Sequence, residues 1–243
     1  LTNDVQEILD DPEIEIVIEV MGGIQPALSY MLEALNAGKS VVTANKDVVA
    51  SEGKKLLEAA KVNGRDFLYE ASVAGGIPIV RPMKQCLAGN HITEVVGIFN
   101  GTTNFILTKM SKEGMEFEEA LQLAQDLGYA ESDPPSDIEG LDAGRKVAIL
   151  ASAAFNSRVV FENVYTEGIA RITAKDIQYA KEMGCEIKLL GMARLTAEGI
   201  EARVHPMLIN KDHPLASVQD SYNAVFVRGD AVQDTMFYGR GAG

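Results

Sequence analysis

The residues best suited to chemistry lie in one stretch, 128–146, with the sequence GYAESDPPSDIEGLDAGRK. It contains five carboxylates and a single lysine, Lys146. A lysine held against a carboxylate can transfer a proton, and a cluster of acids favours a bound cation because the acids otherwise repel one another. The stretch therefore predicts a site that handles a proton and binds an ammonium group.

A turn followed by a helix is expected to position these groups. The prolines at 134–135 exclude a helix before them, and Ser136-x-x-Glu139 has the spacing of a capping box. Apolar residues recur at helical spacing behind it, so a single helix is expected from about Ser136 to Phe155.

On that helix Asp142 and Lys146 are four residues apart and therefore lie side by side. The plain alternative is an exposed ion pair that contributes only ~0.3–0.5 kcal/mol. Gly140 and Gly144 on the same helix favour a functional interpretation, because each costs about 1 kcal/mol relative to alanine. Such residues are expected where another backbone or a ligand comes close.

Composition limits the classes of partner. With 243 residues, 47% of them hydrophobic, the chain has material for one large domain or two small ones. Its net charge of −13 argues against nucleic acid or an anionic membrane surface as a partner. The two cysteines are far apart in sequence, which is typical of reduced thiols, and Cys86 is expected to be a buried structural thiol.

The chain lacks the signals of a membrane or secreted protein. No apolar run approaches the ~20 residues that span a bilayer, and the acidic start LTNDVQE does not resemble a signal peptide. A cytoplasmic location is therefore expected. Because the chain opens at Leu1 and stops inside the glycine-rich run GRGAG, we expect a fragment of a longer protein.

The first part of the chain predicts a parallel sheet. Strands at 13–20 and 40–44 flank a helix that starts near Pro26, which is a βαβ unit, and a helix at 51–62 follows. Residues 1–65 are therefore interpreted as part of a doubly wound, Rossmann-like domain whose ligands bind beyond the carboxyl ends of the strands. No G-x-G-x-x-G precedes residue 65, so either no dinucleotide binds or the segment with the fingerprint is missing.

Residues 66–243 predict an α+β domain with an open, mostly antiparallel sheet. Two hairpins are expected, one around 196–199 and one with its tip at 229–230. The loop EASVAGGIPI suits backbone oxygens that face a ligand or an ion. The loop NGTTN opens a helix and can hold a polar substrate group, although a plain helix cap explains it nearly as well.

Six motifs in order, taken together, resemble the homoserine dehydrogenase family over essentially the whole chain. They are EVMGG, TANK, EASVAGGIPI, IFNGTTNFIL, GYAESDP and DIEGLDAGRK. The resemblance implies reduction of L-aspartate 4-semialdehyde to L-homoserine with NADPH or NADH, in threonine and methionine biosynthesis. It also implies a cytoplasmic homodimer with a nucleotide-binding domain and a substrate and dimerisation domain.

The family pattern assigns roles to individual residues. The resemblance implies that Lys146, oriented by Asp142, donates the proton, and that Lys46 is the second lysine at the reacting carbonyl. It implies that Glu131 binds the substrate ammonium. Further residues implied to line the substrate pocket are Tyr129, Asp137, Gly101 and Thr102. We expect both lysines and Glu131 to border one cleft.

The resemblance also implies two bound groups, a nicotinamide dinucleotide (NADP or NAD) and a structural sodium ion. The residues implied at the cofactor are Gly22, Gly23, Lys46 and Gly243. Those implied at the sodium ion are the Glu70 side chain and the backbone oxygens of Val73, Gly75 and Ile77.

Two alternatives remain open at the level of sequence. One is another semialdehyde or sugar dehydrogenase, which would need a nucleophilic cysteine or a histidine base in the cleft, and the sequence shows neither. The other is a non-catalytic module that binds an amino acid or dimerises. The three histidines share no metal-ligand spacing, so a zinc site is not expected.

Overall fold

The computed structural model describes residues 1–130 and 135–241, and the chain divides into two units, Leu1–Val73 and Ala74–Gly243. The elements of the first unit are α1 (Val5–Asp10), β1 (Ile16–Glu19), α2 (Ala27–Asn36), β2 (Ser40–Thr43), α3 (Lys46–Asn63) and β3 (Phe67–Leu68). Its three strands are parallel and lie in the order β1-β2-β3, which confirms the predicted Rossmann-like sheet.

Helices α2 and α3 cover one face of this sheet. Met31 of α2, Leu56 of α3 and Val41 of β2 are fully buried in one apolar cluster. Successive side chains of a strand point to opposite faces, and on the other face of β1 both Ile16 and Ile18 are more than half exposed. The carboxyl ends of β1 and β2 meet at the edge where the glycine loop and α3 begin.

Helix α3 begins five residues earlier than the sequence predicted, at Lys46 rather than Ser51. Asn45 accounts for the difference, because its side chain accepts a hydrogen bond from the backbone N–H of Val48 and caps the helix. At the other end of the unit, β3 pairs with β2, so the unit extends past the expected boundary at 65/66.

The second unit contains a six-stranded sheet. Its strands are β4 (Ile92–Ile98), β5 (Tyr165–Thr166), β6 (Cys185–Thr196), β7 (Gly199–Asn210), β8 (Tyr222–Gly229) and β9 (Gln233–Arg240). They lie in the order β5-β7-β6-β4-β8-β9, and only the short β5–β7 pair is parallel. The open, mostly antiparallel sheet and both predicted hairpins are confirmed.

The helices of this unit are α4 (Gly101–Glu113), α5 (Phe117–Asp126), α6 (Pro135–Ile138), α7 (Leu141–Phe155) and α8 (Ala174–Glu182). The buried helix α7 packs against the middle of the sheet. A Cβ built at Gly191 of β6 would overlap Val147 of α7 and the ring of Phe99, so only glycine allows this approach. Across the part of the chain that is described, no helix is long and apolar enough to cross a membrane.

The prediction of a single helix from Ser136 to Phe155 is wrong, because the helix is interrupted at Gly140. Gly140 has φ +79° and separates α6 from α7. Because glycine has no side chain, the carbonyl oxygen of Glu167 and the side chain of Val204 can approach closely. Each lies 3.3 Å from a Cβ built at Gly140. The expected close approach at this glycine is therefore made by the protein itself.

The expectation for Cys86 is also wrong, because the thiol-bearing residue is exposed. Residues Pro82–Cys86 form a π-helical turn. Met83 is the buried residue of that turn. The wider turn places Cys86 away from the face that Met83 buries.

Candidate functional site

The predicted pair on α7 is formed, with the carboxylate buried and the lysine largely buried. Lys146 Nζ lies 2.7 Å from Asp142 Oδ2 and donates a second hydrogen bond of 2.7 Å to the carbonyl oxygen of Phe99. The Lys146 side chain is 14% exposed and that of Asp142 only 4%. The alternative of an exposed surface pair is therefore wrong, and the buried ions are stabilised by additional hydrogen bonds.

Asn100, the residue before α4, joins this pair to a second carboxylate. Its Nδ2 donates to Asp142 Oδ2 at 3.0 Å and to Asp137 Oδ1 at 2.8 Å. The Oδ1 atom of the same amide accepts from the backbone N–H of Thr103 and caps α4. Asp137 on α6 and the ion pair on α7 are thereby held at the beginning of α4.

The other predicted substrate residues lie at the same helix end. Gly101 and Thr102 form the first turn of α4, and the Thr102 hydroxyl donates to the carbonyl oxygen of Tyr129 at 2.7 Å. The Tyr129 ring packs on Phe105, with 4.9 Å between ring centroids. A helix N-terminus attracts negative charge, so this end suits an anionic substrate group next to the lysine.

In the first unit, Lys46 lies beside a cavity of about 340 Å³ at the carboxyl ends of β1 and β2. The cavity is lined by Val20, Met21, Gly22, Ala44, Asn45, Lys46 and Asp47. Gly22 and Gly23 have φ of +78° and +71°, and a Cβ built at either would meet no atom within 4 Å. Open glycine backbone, a lysine and the N-terminus of α3 fit an anionic or polar part of a dinucleotide.

A buried carboxylate that sequence reasoning missed shapes this cavity. Glu19 is 5% exposed, and its Oε1 accepts from the backbone N–H groups of Met21 at 2.7 Å and Gly22 at 3.3 Å. Its Oε2 accepts from the Thr43 hydroxyl at 2.6 Å. Asn45 Nδ2 donates to the Gly23 carbonyl at 2.7 Å. The available signal was one acid at the end of an apolar strand, immediately before the glycine turn.

The predicted sodium residues lie on both sides of the boundary at 73/74 along the chain. Glu70 begins a short 3-10 helix, Glu70–Ser72, and Gly75 has φ +54°. Val73 and Gly75 belong to different units, so the ligand set stays a prediction. Within 1–130 and 135–241, no group of three or more His, Cys, Asp or Glu side chains could hold a metal ion. The predicted sodium site consists mainly of backbone oxygens and would not contain such a group.

Three other expectations stay predictions. Glu131 and Gly243 are outside the described residues. Lys46 and Lys146 belong to different units, so the shared cleft stays a prediction.

A Rossmann-like sheet with a cavity at its carboxyl edge, followed by an α+β unit, is the architecture of proteins that combine a dinucleotide-binding domain with a second domain. Residues 1–70 match the family model "Homoserine dehydrogenase, NAD binding domain", and residues 78–243 match the model "Homoserine dehydrogenase". The chain belongs to the homoserine dehydrogenase family.

Similar proteins share both units. The chain is 52% identical over 243 residues to a homoserine dehydrogenase of Bacillus subtilis (strain 168), covering 100% of the chain and 56% of that protein. A solved homoserine dehydrogenase from Thiobacillus denitrificans superposes with a TM-score of 0.97 at 49% identity and is covered to 56%. A hyperthermophilic archaeal homoserine dehydrogenase mutant in complex with NADPH has a TM-score of 0.84 at 30% identity, with 99% of this chain and 70% of that one covered. The chain thus spans little more than half the length of the curated relatives it matches.

Proposed function

We propose that the protein containing this chain is an NAD(P)-dependent homoserine dehydrogenase that reduces L-aspartate 4-semialdehyde to L-homoserine. The observation that carries the proposal is the largely buried pair of Lys146 and Asp142, 2.7 Å apart, at the beginning of α4. Family membership supports the substrate, and the match of residues 1–70 to an NAD binding domain supports the class of cofactor.

Lys146 is the proposed proton donor. A bound nicotinamide would supply the hydride, and hydride addition would leave negative charge on the aldehyde oxygen. An ammonium has three N–H donors, and Lys146 directs one to Asp142 and one to the Phe99 carbonyl. The third is available to stabilise the substrate oxygen and then to protonate it, a step worth ~10²–10⁴-fold. Lys46 is proposed as the second amine at the same carbonyl.

The amino-acid end of the substrate is proposed to bind between α4 and α6. Glu131 is assigned to the ammonium group on the basis of the family pattern. Asp137, held by Asn100, supports that assignment, because it adds negative charge at the site. Tyr129, Gly101 and Thr102 are proposed to line the pocket.

The proposed cofactor is NADP or NAD, bound by Gly22, Gly23, Lys46 and Gly243. A relative solved in complex with NADPH supports this class of cofactor. A sodium ion is proposed at Glu70 and the backbone oxygens of Val73, Gly75 and Ile77, supported by the positive φ of Ala74 and Gly75 in that turn. We further propose a cytoplasmic homodimer that serves threonine and methionine biosynthesis.

The test replaces Lys146 with alanine in a version of the chain extended to the length of its relatives. NADPH oxidation with L-aspartate 4-semialdehyde should fall by ~10²–10⁴-fold, because the proton donor is lost. The matched control is Lys109→Ala, which removes the lysine of another i,i+4 pair, with Glu113 on α4, and should leave the rate unchanged.

Equal rates for Lys146→Ala and its parent would show that Lys146 takes no part in the reaction. A parent that binds homoserine in calorimetry but transfers no hydride would instead support a non-catalytic amino-acid-binding module.

A further inference from the structure

We propose that Asn100 is a positioning residue for the Lys146–Asp142 pair and for Asp137, an inference that rests on the proposed function for its catalytic meaning. Asn100 is only 6% exposed. Its side chain contacts the beginning of α4 and acids on both sides of the break at Gly140. A plain helix cap needs only one of these contacts.

The amide uses both of its N–H donors on carboxylates. Nδ2 lies 2.8 Å from Asp137 Oδ1 and 3.0 Å from Asp142 Oδ2. Two buried or half-buried acids next to the same nitrogen repel each other, and a shared donor offsets that repulsion without neutralising either charge. Asn100 therefore fixes the separation of the two acids.

The acceptor side of the amide fixes its orientation. Oδ1 accepts from the Thr103 backbone N–H at 2.9 Å and lies 3.0 Å from the Thr103 hydroxyl. Rotating the amide by half a turn would direct its NH₂ group at that N–H donor and would remove both donors from the carboxylates. The hydrogen bonds of Asn100 therefore allow one arrangement.

The effect reaches Lys146 by two routes. Asp142 Oδ2 accepts from both Asn100 Nδ2 and Lys146 Nζ, so the position of this oxygen sets the position of the ammonium. The second partner of Lys146 is the carbonyl of Phe99, the residue directly before Asn100. A shift of the 99–100 backbone or of the amide moves the proposed proton donor, and a misplacement of about 1 Å can cost ~10²-fold in rate.

The test separates the capping role from the positioning role. In Asn100→Asp a carboxylate still caps α4, because Asp and Asn are equally good N-caps, but no donor remains for Asp137 and Asp142. Asn100→Ala removes both functions. The matched control is Thr173→Ala, which removes the cap of α8 but touches none of these acids.

In the extended protein, kcat should fall by up to ~10²-fold in both Asn100 variants, with a raised KM for homoserine and an unchanged KM for the cofactor. Thr173→Ala should lower the melting temperature without changing either constant. Wild-type kcat and KM in a folded Asn100→Asp would reduce Asn100 to a helix cap.

A crystal structure of Asn100→Asp in the 243-residue chain tests the inference without any activity. The Asp142 carboxylate and Lys146 Nζ should move by about 1 Å or more, while α4 keeps its first turn. Unmoved side chains would overturn the positioning role. A parent without dehydrogenase activity would overturn only the proposed function.

Discussion

Lys188 on β6 is a buried cation outside the candidate site. It is 3% exposed, and burial lowers its pKa from 10.5 to about 8. Its Nζ donates to Asn104 Oδ1 at 2.9 Å and to the Val218 carbonyl at 2.6 Å. Asn104 Nδ2 in turn donates to the carbonyl of Tyr222 at 3.1 Å. The hydrogen bonds of Lys188 and Asn104 therefore connect β6 and α4 to the segment that leads into β8.

The lowered pKa of Lys188 predicts a dependence of stability on pH. Between pH 8 and 10.5 the unfolded chain binds more protons at this lysine than the folded chain does, so the free energy of unfolding should rise with pH in that window. The contribution is at most about 1.4 kcal/mol per pH unit. Urea denaturation at several pH values measures it.

Lys188→Met supplies the comparison, because it removes the titrating group and keeps an unbranched side chain. Its free energy of unfolding should rise less steeply with pH than that of the parent. The same slope in both proteins would show that Lys188 does not titrate in this range.

At the scale of elements, the break between α6 and α7 places Asp137 and Asp142 on either side of Gly140. Gly140→Ala should destabilise the chain by about 1–2 kcal/mol, because alanine disfavours φ +79°, and it should also lower activity by displacing α6. Gly114→Ala is the matched control, since Gly114 has φ +70° with no atom within 4 Å of a built Cβ. Chemical denaturation and initial rates compare the two variants.

Gly114→Ala should share the loss of stability but keep the rate. If Gly140→Ala lost only as much as Gly114→Ala and kept full activity, the break would have no role in the site.

Elements with local signals were predictable from the sequence. The hairpin of β6 and β7 was predicted and is present. The capping box of Thr173 and Asp176 on α8 is equally local, because caps and turns depend on neighbouring residues. The break at Gly140 was missed, since it depends on contacts with Glu167 and Val204, which follow much later in the chain. A glycine on an apolar helix pattern does not reveal such contacts.

In the candidate site, too, local features were predictable and long-range contacts were not. The spacing of Asp142 and Lys146 predicted their pairing, because both lie on one helix. The shared amide of Asn100 was not predictable, since it contacts residues 37 and 42 positions further along. Glu19 is similar, because its role depends on Thr43 of the neighbouring strand. Sequence patterns identified the candidate residues, and long-range contacts determine their geometry.

At the scale of the whole molecule, the proposed dimer predicts a measurable mass. The second unit leaves the apolar side chain of Leu208 on β7 54% exposed. Burial of apolar surface at about 25 cal/mol per Å² stabilises an association between two copies. Light scattering after size exclusion should therefore give about twice 26.2 kDa.

Leu208→Glu on β7 should weaken the dimer by placing a charge in the interface, whereas Val62→Glu, at an 83% exposed position of the first unit, should not. A parent that stays at 26.2 kDa at every concentration would contradict the dimer, and equal masses for both variants would place the interface away from Leu208.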